Sequence, residues 1–100
     1  MSENKAGPTE AEQIAAMLSS GRRAVMSSFG AEYGPRVAPF LGVVRDLKRR
    51  LSCTALGVFG FLNETHLAGM FDRSATAMLL AALHDEVVHE ERSQRRIVTP

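Results

Sequence analysis

The sequence is poor in residues that would staple, stack or anchor it. Its one cysteine, Cys53, excludes a disulfide framework within the chain. The aromatics are one tyrosine and five phenylalanines, with no tryptophan, a thin supply for stacking nucleic-acid bases. Neither sign of charge dominates: 12 basic residues stand against 11 acidic ones, so bulk electrostatics select no partner. The longest nearly apolar run, residues 53–62, falls far short of the roughly 20 residues that span a bilayer. The opening MSENKAGPTEAEQ has no apolar centre of the kind a signal peptide carries. No P-loop, G-x-G-x-x-G or G-x-S-x-G occurs. These absences lead us to expect a cytoplasmic chain that binds neither membrane nor nucleic acid.

What is present suits one globular domain. The apolar fraction is 45% and the charged fraction 23%, both ordinary values. A chain of 100 residues buries only roughly two-thirds of its unfolded surface, so a homodimer would enlarge a modest core. Residues 1–8 read as a flexible arm, 9–88 as the domain and 89–100 as a charged, mobile tail. Thr9 and Glu12 form a capping-box pattern. Ile14, Met17 and Leu18 then recur at helical spacing, and Gly21 is a natural stop.

Between residues 19 and 40 two apolar runs flank Gly30, Gly34 and Pro35, residues that reverse a chain. Residues 22–29 and 36–44 read as strands, the second with Pro39 at an edge or bulge. In 51–62 the glycines Gly57 and Gly60 would each weaken a helix by about 1 kcal/mol, which favours a third strand. Asn63 is a plausible N-cap for a helix over 64–71. The run at 75–83 suits helix or buried strand equally, and periodicity alone does not decide it.

This succession resembles the pyridoxamine 5'-phosphate oxidase-like, FMN-binding split-barrel families, including their haem-utilisation branch. The similarity rests on Ser20-Gly21-Arg22-Arg23-Ala24-Val25-Met26-Ser27-Ser28, on Gly34-Pro35-Arg36-Val37-Ala38-Pro39-Phe40, and on His66, Asp72-Arg73 and Ala77-Met78-Leu79-Leu80. It covers about residues 10–82, and a charged tail stands where those families continue into barrel-closing strands. The resemblance implies an α+β fold, with an antiparallel split-barrel-like sheet, an N-terminal helix and a short helix after the third strand. It implies a homodimer with FMN at the subunit interface, or alternatively haem with His66 as ligand, and a flavin-dependent oxidoreductase step on a small-molecule ligand. Arg36, Ser52, Thr54 and His66 would converge on the phosphate, and Val37, Ala38 and Pro39 would lie against the flavin ring.

A second reading is of a different class: a non-catalytic, mostly helical interaction or assembly module. It follows if 51–62 and 75–88 are helices. Glu86 and His89 form an E-x-x-H without regular carboxylate partners from other helices, so no metal is expected. Cys53 reads as an inert thiol. The basic runs Arg22-Arg23, Lys48-Arg49-Arg50 and Arg95-Arg96 read as solvated surface.

Overall fold

In the computed structural model, which describes residues 7–64 and 73–98, four α-helices follow one another. They are α1 (Glu10–Phe29), α2 (Tyr33–Leu51), α3 (Ala55–Glu64) and α4 (Arg73–Val98), with a 3-10 turn, Gly30–Glu32, between α1 and α2. No strand occurs among the described residues. The expected α+β fold and its split-barrel sheet are therefore overturned, and the resemblance to the oxidase-like families goes with them. Residues 1–6 of the expected arm lie outside the described residues, as do His66 and nearly all of the helix expected over 64–71.

The start of α1 is as the sequence predicts. Thr9 Oγ1 accepts from the Glu12 backbone N–H at 3.2 Å, and Glu12 Oε1 accepts from the Thr9 N–H at 2.9 Å. Replacing Thr9 by alanine is expected to cost about 1 kcal/mol, seen as a lower midpoint in urea unfolding. The expected stop at Gly21 is wrong. Gly21 is buried against α4, and α1 continues to Phe29, where Gly30 at φ 55 ends it.

Both expected strands flanking this corner are helical, and the burial period shows why. In 36–44 the buried residues are Val37 and Val44, with Phe40 and Leu41 half-buried between them. That is the i, i+3, i+4, i+7 pattern of a helix face, not the alternation of a strand. Pro35 sits in the first turn of α2, where its missing N–H would have no intrahelical partner anyway. Pro39 lies farther inside α2 and is exposed.

The expected third strand is α3. Thr54 stands at its start, its Oγ1 accepting from the Gly57 N–H at 3.3 Å, and Asn63, expected to cap a helix over 64–71, lies inside α3 instead. Gly57 is required by close approach, since a Cβ there would lie 2.8 Å from the Cys53 Cβ. The ambiguous run at 75–83 belongs to α4, which continues through the charged stretch to Val98.

Helix α4 is the common partner. It packs most extensively on α1 and next on α2, while α3 closes against α2 and α4. The core joins Leu18 and Val25 of α1, Val37 and Val44 of α2, Ala55, Val58 and Leu62 of α3, and Leu79, Ala81, Ala82 and Leu83 of α4. Among the described residues, no helix is long and apolar enough to cross a membrane.

Candidate functional site

Two polar clusters are built where α4 leaves the apolar core. The first faces α2. Asp85-Glu86 comes one residue after the buried Ala81-Ala82-Leu83, and the helix carries Glu86 into the bundle, where it is only 2% exposed. Arg45 and Lys48, three residues apart on α2, present their cations to it. Arg45 Nε donates to Glu86 Oε1 at 2.9 Å, and Lys48 Nζ donates to Glu86 Oε2 at 2.6 Å. One turn farther along α4, Glu90 Oε2 lies 2.7 Å from Lys48 Nζ and accepts the Ala55 backbone N–H at 2.8 Å. A single carboxylate thus ties α4 to the lysine of α2 and to the first turn of α3, where the helix dipole favours an anion.

The protonation states follow from this geometry. Burial by itself would raise the Glu86 pKa, but the hydrogen bonds from Lys48 and Arg45 and their charges outweigh it, leaving Glu86 below its ordinary value. Burial would likewise lower Lys48, yet its bonds to Glu86 and Glu90 hold it above its ordinary value. Both groups are charged at neutral pH.

The second cluster lies where α1, the start of α2 and α4 meet. The Tyr33 hydroxyl donates to Asp85 Oδ2 at 2.6 Å. Arg22 Nε lies 3.6 Å from Asp85 Oδ1, and the Arg22 guanidinium stands 5.6 Å from the centre of the Tyr33 ring. His84 Nδ1 is 3.3 Å from the same Oδ1. Burial, and then the bond to Asp85, push the Tyr33 hydroxyl above its ordinary pKa, so it remains a proton donor.

The residues expected to gather around a flavin do not gather. Arg36, Val37, Ala38 and Pro39 are consecutive on α2, and successive side chains of a helix point about 100° apart. Val37 enters the core, while Ala38 and Pro39 face outward. Arg36 bonds Glu32 Oε1 at 3.3 Å and covers the Phe29 ring at 4.6 Å. Ser52 and Thr54 lie past the other end of α2, about 24 Å from Arg36 along the helix rise. His66 lies outside the described residues. With no split barrel, the FMN, haem and oxidoreductase expectations have lost the fold on which they rested.

Glu86 and His89 also part company. Glu86 is held by α2, whereas His89 is exposed. Among the described residues, no group of three or more His, Cys, Asp or Glu is placed to hold a metal ion. Of the basic runs read as solvated surface, Arg22 and Lys48 turn inward to carboxylates. The sequence reading missed Tyr33, Arg45, Asp85 and Glu90, and it took Glu86 only as half of an E-x-x-H pair. Their signal was a helical one: acids at 86 and 90 and bases at 45 and 48 repeat at i, i+4 and i, i+3.

A scan of the chain against protein-family models, and searches of curated proteins and of solved structures, find no match.

Proposed function

We propose that this chain is a non-catalytic helical assembly module that pairs with a second copy of itself through the outward face of α2. The observation that carries the reading is the composition of that face. Arg36, Pro39, Val43, Asp46 and Arg50 recur at helical spacing opposite the buried Val37 and Val44. Val43 is 51% exposed, and Leu51 and Leu56 add apolar surface at the α2–α3 corner.

The charge on this face is partly neutralised within the helix. Asp46 bonds Arg49 and Arg50, with Arg50 Nε 2.7 Å from Oδ2. Two such faces brought together antiparallel about a two-fold axis at Val43 bury that side chain against its own copy. The two strongest internal clusters support the same class, because their charges hold helices to one another.

Sedimentation velocity across a concentration series tests the reading. A shift from monomer to dimer mass is expected, with a dissociation constant raised about tenfold or more by Val43→Glu, which sets like charges across the axis. Val43 is exposed, so the variant keeps the monomer fold. A monomer at every concentration would sink the proposal.

A further inference from the structure

The geometry points to a phosphate-binding site between α1 and α4, lined by none of the residues of the pairing face. A hollow of about 400 Å³ is lined there by Arg22, His84, Asp85, Val88, His89 and Arg92. Its size falls within the range of small-molecule sites, roughly 300–1,000 Å³. Asp85, Val88, His89 and Arg92 stand at i, i+3, i+4 and i+7, so α4 presents them along one edge while Arg22 reaches in from α1.

The charge balance of the lining favours an anion. Asp85 is the one acid among these residues. Its Oδ2 is occupied by the Tyr33 hydroxyl at 2.6 Å, and its Oδ1 faces Arg22 and His84. Asp85 thereby positions Arg22, which is further held by the Tyr33 ring. Among the described residues, His89 and Arg92 line the same hollow with no ion-pair or hydrogen-bond partner.

Two guanidiniums from facing helices, with two imidazoles beside them, line one hollow and offer it forked and single donors. A tetrahedral phosphoryl group, with several acceptor oxygens and up to two negative charges, matches that donor set. The charged and titratable groups around it are Arg22 from α1, Tyr33 from α2, and His84, Asp85, His89 and Arg92 from α4. The ligand is inorganic phosphate or a small phosphomonoester.

Calorimetric titration of the full chain with inorganic phosphate, and separately with phenyl phosphate, tests the site at fixed ionic strength. Saturable binding of one anion per chain is expected, weakened roughly tenfold by Arg92→Gln and by His89→Gln. Neither side chain holds the fold together, and circular dichroism checks that. Arg73→Gln, exposed at the start of α4 and outside the hollow, is expected to leave binding unchanged. Tighter binding of phenyl phosphate assigns the site to a phosphomonoester, and equal binding assigns it to free phosphate. No saturable binding of either probe, or an equal loss in Arg73→Gln, would overturn the site.

Discussion

Lys48→Met is expected to lower the unfolding free energy by about 3 kcal/mol, the cost of leaving a buried carboxylate without its main partner. Glu86 is almost wholly enclosed, and Lys48 supplies its shortest bond at 2.6 Å. Arg45 remains beside it, but that side chain is half exposed and its attraction is screened by water. The thioether stem of methionine replaces most of the lysine stem, so the loss reports the charge rather than packing. The double variant Lys48→Met with Glu86→Met should lose less than Lys48→Met alone, because it leaves no enclosed charge. Urea unfolding of the two singles and the double decides this, and a double variant as weak as the sum of its singles would refute the account.

The pH dependence has a fixed sign. Glu86 titrates below its ordinary value of 4.5 in the fold, so its contribution is present above 4.5 and is lost as pH falls through the lower, folded value. Lys48 is raised above 10.5, so its contribution is full below 10.5 and is lost only as pH rises through the folded value. The gap between wild type and Lys48→Met is therefore widest at neutral pH and narrows in acid.

The second large effect concerns two glycines with opposite outcomes. A Cβ on Gly21 would lie 2.5 Å from the Leu80 Cβ and 3.3 Å from the Ala77 carbonyl oxygen. Neither atom is the free end of a side chain, so α1 and α4 must separate. Gly21→Ala is expected to cost about 2 kcal/mol through overpacking, even after the helix-propensity gain of about 1 kcal/mol. Gly42 sits in the interior of α2, where an added Cβ would have nothing within 4 Å. Gly42→Ala is expected to stabilise by about 0.5–1 kcal/mol. Thermal unfolding of both variants reads the contrast, and shifts of the same sign would show that α1 and α4 are not in such close contact.

The capping box at Thr9 and Glu12 was legible because all its parts lie within four residues. The turn at Gly30 was legible too, but as a place where the chain reverses, not as the kind of element on either side. Gly34-Pro35 and Pro39 suggested strands, although the burial of Val37, Phe40, Leu41 and Val44 follows a helical period. Gly21, Gly57 and Gly60 were read as stops, bulges or helix breakers. Gly57 instead lets Cys53, four residues earlier, come close, and Gly21 lets Leu80 of α4 do so, a tertiary cause that local propensity does not carry. The polar clusters were hidden for the same reason. Tyr33 and Asp85 are 52 positions apart, and Arg45 and Glu86 are 41 apart, so no local window holds both partners.

The position of α4 has a consequence for synthesis. Helix α1 is made first, yet the surface it buries against begins only at Arg73. At translation rates of about 5–20 residues per second, the ribosome needs seconds to supply it. During that interval Leu18 and Val25 of α1 and Val44 of α2 have no α4 to cover them. The nascent chain is thus vulnerable to aggregation, or open to a chaperone, until α4 emerges and the core closes around it.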